Sequence, residues 1–371
     1  MKYFSTKVAT EQSFCNRQAQ RMELVDHIRN NEHSVIVAPR RYGKTSLVMQ
    51  AIKEVDLAYA QVDMFCVVYE EEVIRKLAKG VSVLMQSLMS RTEKTIAFLE
   101  DVFKMATIGF KAGGFDVSVE LSRNTMLADH IEDLLCGLEM IAAKAARPVV
   151  FFIDEFQDIL KIEKSRQIQA AIRSVAQHSQ YVTYIFSGSS RSMLEKIFDD
   201  SSQPLYMMCH KMNLGRIREA HFLTHIENAF LQHWQQSIDV DMIEHILKLT
   251  ECHTYYVNAL CADIMLKETP LSIEEVNEVW DRQLVKHKAK IIAELQELNS
   301  NRLKVLINIA LTGRVSEPNS RKFIEDVKLS LSSIQVAIKY LLDHDYIYQD
   351  DGKSLSLVDP LMRKFLLERH G

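Results

Sequence analysis

Short apolar runs alternate with helical stretches before Arg216, helices follow alone to about Leu298, and a helix–helix–helix–hairpin pattern starts at Asn299. These three observations predict an α/β chain: a buried parallel sheet, then an α-helical domain, then a winged-helix domain. The expected boundaries are 1–215 for the sheet domain, with an insertion at about 86–128, then 216–298 and 299–371.

The 371 residues are 47% apolar and 25% charged, which excludes a disordered chain, a collagen-like fibre and a rod. With 45 Lys and Arg against 49 Asp and Glu, the net charge of −4 leaves no global basic field for nucleic acid. Cys15, Cys66, Cys136, Cys209, Cys252 and Cys261 are scattered, with no C-x-x-C pair, so neither a zinc framework nor a disulfide framework is expected. The N-terminus lacks an apolar signal core, and no run is long enough to span a bilayer. A cytoplasmic protein without membrane contact is expected.

Strands are expected at Ser34–Ala38, Tyr59–Val68, Val149–Ile153 and Val182–Phe186, with a fifth within Leu205–Leu214. Between the second and third, helices are expected at Val73–Met89, Thr95–Met105 and Met126–Ala145. Lys111–Leu121, with a Gly-Gly turn signal followed by alternation, reads as an inserted small hairpin or extended loop. Four helices follow Arg216: Ala220–Trp234, Asp241–Leu249, Tyr255–Lys267 and Ile273–Leu298. The winged-helix segment has a hairpin at Tyr346–Val358, turning at 350–352, and Pro360 opens its last helix.

The first chemical motif is Ala38-Pro39-Arg40-Arg41-Tyr42-Gly43-Lys44-Thr45, which follows a strand and opens a helix. It matches G-x-x-x-x-G-K-[ST] with alanine at the first glycine. In the loop Pro39–Ser46, the backbone N–H groups after the proline and the helix N-terminus would cradle phosphates, with Gly43 letting the backbone approach closely. Lys44 would reach the β- and γ-phosphates, and Thr45 would coordinate Mg²⁺.

The second is Val149–Glu155, a buried strand ending in two acids. Asp154 would hold Mg²⁺ through water, and Glu155 would polarise the attacking water. The third is Ser187-Gly188-Ser189-Ser190, where Ser187 or Ser189 is a candidate phosphate sensor at a strand end, or the segment is a helix N-cap.

Together P-R-R-Y-G-K-T-S, F-F-I-D-E-F-Q and F-S-G-S-S-R-S-M resemble the archaeal-type ATPases of the STAND clade of AAA+ proteins, nearly end to end. The resemblance implies a P-loop NTPase core of AAA+ type, with these motifs as Walker A and Walker B. It also implies ATP/ADP with Mg²⁺, a helical lid and a winged helix. Phe14 and Arg17 match the family's opening box near the adenine, although Asn16 and Gln20 replace its usual glycine and glutamate. Asp63 matches a family acid. The lid box is Cys252-His253-Thr254-Tyr255-Tyr256, with the usual glycine and proline absent. The arginine usual after Pro204-Leu205-Tyr206 is missing, so slow turnover is expected. Arg173 and Arg191 stand at arginine-finger spacing, or are solvated surface arginines.

The expected role is a slow nucleotide switch that engages a protein partner, with a homo-oligomer compatible. The alternative is a DNA-binding winged helix on a scaffold P-loop domain. From Asn299 on, 11 Lys and Arg face 9 Asp and Glu, and Ser330–Leu342 holds only Lys339 as a cation, which disfavours DNA. The apolar side of Ile334, Ile338 and Leu341 is expected to pack on the lid or meet a partner. His221 and His225 read as helix-face histidines, and Met207-Met208 as strand core.

Overall fold

A computed structural model describes residues 3–89, 109–111, 116–118, 127–350 and 353–371. The chain divides into two compact units. One comprises Gln18–Ala38 and Leu47–Leu214, and the other Met1–Arg17, Pro39–Ser46 and Gly215–Gly371.

The sheet unit begins with α1 (Gln18–Arg29), β1 (Ser34–Val37), α2 (Lys44–Val55, entering this unit at Leu47), β2 (Ala58–Asp63) and α3 (Glu70–Leu88). It continues with β3 (Gly109–Lys111), β4 (Asp116–Ser118), α4 (Leu127–Ala145), β5 (Val149–Asp154), α5 (Ser165–Ala176), β6 (Val182–Gly188), α6 (Arg191–Phe198) and β7 (His210–Asn213). Five strands form one all-parallel sheet in the order β2-β5-β6-β1-β7. Every residue of β5 and β6 is buried, as continuous apolar runs in a covered parallel sheet should be. Val37 pairs with Gly188 and Asp63 with Asp154, so these strand ends lie along one edge of the sheet. Ligands in such sheets bind beyond that edge.

Gly80 lets α3 lie close on the sheet. A Cβ there would come within 2.6 Å of Val62 and 2.8 Å of Phe151. Glu139 of α4 caps the entry to β6, its carboxylate accepting from the backbone N–H groups of Gln180 and Tyr181 at 2.8 and 2.9 Å.

The second strand is shorter than expected. After Asp63 the chain turns: Asp63 Oδ1 accepts from Phe65 N at 2.8 Å, and Cys66 is left-handed. Met64 and Val67 are buried in this turn, which is why the segment looks strand-like. The fifth strand spans only the last part of its expected range. Met207 is not strand core: it is left-handed and 77% exposed, in the turn before β7. The pair β3–β4 is antiparallel, with Phe110 opposite Val117. The expected helix Thr95–Met105 lies outside the described residues, as do the Gly-Gly turn and residues 119–121 of the hairpin.

The other unit holds α7 (Glu219–Trp234), α8 (Val240–Thr250), α9 (Thr254–Ile264), α10 (Ile273–Gln296), α11 (Ser300–Thr312), α12 (Arg321–Val327) and α13 (Leu331–Asp343). It ends with β8 (Ile347–Gln349), β9 (Leu355–Leu357) and α14 (Pro360–His370). Ser272 caps α10 reciprocally with Glu275, and Asn299, Ser320, Ser330 and Asp359 cap α11 to α14 with side-chain oxygens. The antiparallel β8–β9 pair is the wing, and Val315 bridges to Leu355 beside it. Its turn residues 351–352 lie outside the described residues.

One core runs through this unit, from Phe4 through Trp280 to Phe365. Ile334 and Leu341 are fully buried in it and Ile338 packs against it, so they form no partner face. The periodicity marks the inward side of α13, and the outward side carries Ser332, Gln335, Val336 and Lys339.

Candidate functional site

The loop of residues 39–46 and the lid box belong to one unit. Gly43 has φ +90, a conformation that favours glycine, and α2 begins at Lys44. The first N–H groups of α2 therefore have no intrahelical acceptor. Lys44 Nζ donates to Pro39 O at 3.5 Å, and Ser46 Oγ accepts from Ala9 N at 3.0 Å. Arg40 is exposed, while Arg41 is left-handed and its guanidinium lies 4.3 Å from the Tyr255 ring centre.

Tyr42 points into protein. It is 1% exposed, its ring meets His253 edge-on at 4.9 Å, and Arg17 donates to its carbonyl at 2.8 Å. Arg17 also donates to Gly215 O at 2.9 Å. Burial pulls the Arg17 guanidinium down to about 10, still charged at neutral pH, and pushes the Tyr42 phenol up to about 12. The sequence reading gives Arg17 and Tyr42 to the nucleotide; in the fold their side chains serve the loop itself. Gly43 faces the lid box: a Cβ on it would lie 3.9 Å from Thr254 Cγ2.

The acids belong to the sheet unit. Asp154 ends β5, and its Oδ1 accepts from the Ser187 hydroxyl and from Glu155 N at 3.0 Å. Gln61 of β2 donates to its Oδ2 at 3.5 Å. Glu155 is left-handed (φ +49) and caps a 3-10 turn, Phe156–Lys161. Its carboxylate accepts from Gln157 Nε2 at 2.7 Å, Ser189 Oγ at 2.9 Å and Ser189 N at 3.3 Å. A non-glycine residue held there stores of order 1 kcal/mol of strain, which three hydrogen bonds to its own carboxylate offset.

The two candidate sensors thus divide their work: Ser187 serves Asp154 and Ser189 serves Glu155. Gly188 sits between them because Gln157 Oε1 would lie 1.9 Å from a Cβ at that position. Gln61 and Gln157 escape sequence reading, since an isolated glutamine gives no signal of its acceptor. Arg173 donates to the carbonyls of Pro204 and Tyr206, the second at 3.2 Å, while Arg191 is an exposed partner of Glu195 at 2.9 Å.

The fold as a whole is similar to those of solved structures. Over 99% of this chain and 100% of the other, it superposes on the Walker-type ATPase of Pyrococcus abyssi with a TM-score of 0.71 at 15% identity. The chain shares the fold of that Walker-type ATPase. A second structure, the Aeropyrum pernix ORC2 protein in its ADPNP and ADP complexes, superposes with a TM-score of 0.56 at 13% identity. That match covers 95% of this chain and 92% of the other. Residues 292–368 match a family model described as "Probable winged helix domain". No curated relative matches the chain. Among the described residues, no helix is long and apolar enough to cross a membrane.

The residues present suit a nucleotide. In the loop's unit, Thr254 Oγ1 and His253 Nδ1 are buried polar atoms without a hydrogen-bond partner, close to Gly43 and Tyr42 respectively. In the acids' unit, Ser190 Oγ is likewise buried and unpartnered. Such atoms are costly to leave unmade, and a polar ligand would satisfy them.

Proposed function

We propose that the protein binds ATP with Mg²⁺, hydrolyses it slowly, and works in the cytoplasm as a nucleotide switch that engages a protein partner. The observation that carries this reading is the paired acid at the end of β5, with separate polar donors to Asp154 and Glu155. Residues 1–215 act as the ATPase core, 216–298 as the lid and 299–371 as the winged helix. The loop at Pro39–Ser46 holds the phosphates through backbone N–H groups and Lys44. Thr45 and, through water, Asp154 hold Mg²⁺, which when bound neutralises charge on the β- and γ-phosphates. Glu155 accepts the proton of the attacking water. Hydrolysis releases one arrangement of core, lid and winged helix, and a second copy of the chain is a compatible assembly partner.

The test is thermal unfolding with and without Mg·ATP. A ligand at ~100 times its Kd that binds only the native state adds ~2.7 kcal/mol. Wild type should melt higher with Mg·ATP and Lys44→Ala should not. An unshifted wild-type curve at millimolar Mg·ATP would remove the nucleotide from the reading.

A further inference from the structure

We propose that His27, Glu32 and His210 form a binding site for a divalent transition-metal ion of the Zn²⁺ class, separate from the nucleotide chemistry. Among the described residues, these alone bring three metal-ligating side chains together, with one donor atom from each within 4.8 Å of the others. His27 lies in the last turn of α1, Glu32 in the connection to β1, and His210 opens β7. The fold fixes their meeting. Ser34 pairs with His210 across β1 and β7, and His210 N donates to His33 O at 2.8 Å.

The donor chemistry fits. The imidazoles of His27 and His210 stack with centroids 4.4 Å apart, and Glu32 Oε2 lies 3.4 Å from His210 Nε2. Donor atoms about 2.0–2.1 Å from a tetrahedral Zn²⁺ stand roughly 3.3 Å from each other, so the Glu32–His210 pair is already at ligand spacing. Closing on His27 asks for up to about 1.5 Å of adjustment, which the exposed Glu32 and His210 side chains can make. His27 Nδ1 is bonded to the buried Ser34 hydroxyl at 2.9 Å. That bond fixes the ring and leaves Nε2 to coordinate, the usual division of labour in a metal-binding histidine. Two imidazoles and one carboxylate are the donors of a zinc site that keeps a water position open.

The placement gives the ion a role. Ser34 and His210 begin their strands, so the cluster lies at the edge of the sheet opposite to Asp154 and Gly188, which end theirs. An ion there would clip the C-terminus of α1 to the outermost strand, β7, without touching the acids. His221 and His225 of α7 join no such cluster, and the His225 ring packs edge-on against Phe4 at 5.7 Å.

The test uses the full chain stripped with EDTA and titrated with Zn²⁺ by calorimetry and thermal unfolding, and with Co²⁺ by visible absorption. Wild type should bind one Zn²⁺ at micromolar concentration and melt higher, and Co²⁺ should give tetrahedral bands without thiolate charge transfer. His210→Ala and Glu32→Gln should each weaken binding at least ~10-fold, as loss of even a supporting partner does. Both residues are exposed, so the apo variants should unfold like apo wild type. Zn²⁺ affinity unchanged in both variants, or no binding below millimolar concentration, would overturn the site. So would a thiolate band retained in His210→Ala, which would assign the metal to cysteine.

Discussion

Arg216 Nε lies 3.3 Å from the Tyr42 hydroxyl, and that one guanidinium ties the loop of residues 39–46 to the winged helix. Its Nη1 donates to the main-chain carbonyl and the carboxylate of Glu251, both at 2.8 Å. Its Nη2 donates to Leu357 O at 2.9 Å and Val358 O at 3.3 Å, and the Tyr348 ring lies 4.8 Å away. Arg363 completes the cluster by donating to the other Glu251 oxygen at 2.8 Å. Burial alone would lower the Arg216 pKa; Tyr42, Tyr348 and Glu251 more than offset it and push it up.

Arg216→Ala should therefore lose about 3 kcal/mol or more, because the carbonyls of Glu251, Leu357 and Val358 and one carboxylate oxygen lose this donor. Arg216→Lys should recover little of this, since an ammonium cannot serve a phenol, a carboxylate and three carbonyls as the planar fork does. Urea unfolding of the three proteins measures it. Lysine at wild-type stability would show that charge alone suffices.

His253 gives the protein an acid-sensitive element. Burial, with Arg216 nearby, lowers its pKa from 6.5 to about 3. The unfolded chain thus takes up a proton between these values that the folded chain refuses, so stability falls as pH falls through this window. The contribution approaches ~1.4 kcal/mol per pH unit at its steepest. His253→Phe should flatten the stability profile between pH 6.5 and 3. Parallel profiles for the two proteins would count against a buried neutral imidazole.

Glu155→Gln should keep nucleotide binding and lose hydrolysis by ~10²-fold or more if the carboxylate is the base. Ser189→Ala removes one of its donors and should reduce turnover less. Steady-state phosphate release alongside nucleotide affinity separates the two effects. Equal hydrolysis by wild type and Glu155→Gln would take this residue out of the chemistry.

Gly80→Ala should destabilise by about 1–3 kcal/mol through overpacking, because the methyl would meet Val62 and Phe151 at under 3.0 Å. A lowered melting temperature with unchanged nucleotide affinity is expected. A neutral result would mean that α3 moves away from the sheet freely.

Random duplex DNA should bind no tighter than ~10 µM at physiological salt, the weak side of ordinary nonspecific affinity. The outward side of α13 offers Lys339 as its single cation, with Val336 68% exposed beside it. Fluorescence anisotropy with and without ATP checks this. A sub-micromolar, salt-steep isotherm weakened by Lys339→Glu would favour the DNA-binding alternative.

The five-stranded sheet and the winged helix are legible in the sequence because buried strands leave unbroken apolar runs and caps leave Ser, Asn and Asp at helix starts. Asp154 and Glu155 are legible because two acids ending such a run are conspicuous. What stays hidden is partnership through the backbone. Nothing in the sequence says that Arg216 faces the carbonyls of Leu357 and Val358, or that Arg17 supports the carbonyl of Tyr42. Apolar pattern also misleads where a turn is buried, as at Met64 and Val67. Nor does the sequence reveal that Cys252 has φ +54, a conformation that favours glycine, next to a left-handed Glu251.

The outer strands of the sheet bear on how the chain avoids its own kind. An uncovered parallel strand is a template for intermolecular pairing, and short or charged edges frustrate it. Strand β7 is four residues long, and Lys211 on it is held by Asp199 at 2.6 Å and Glu195 at 3.3 Å. Strand β2 turns Tyr59, Gln61 and Asp63 outward. A second chain approaching β7 would have to disturb an ion-pair cluster to gain a ladder of only a few hydrogen bonds. Newly made copies crowded on one messenger should then resist strand addition at this edge, and Lys211→Val should raise the yield of insoluble protein without altering the folded core.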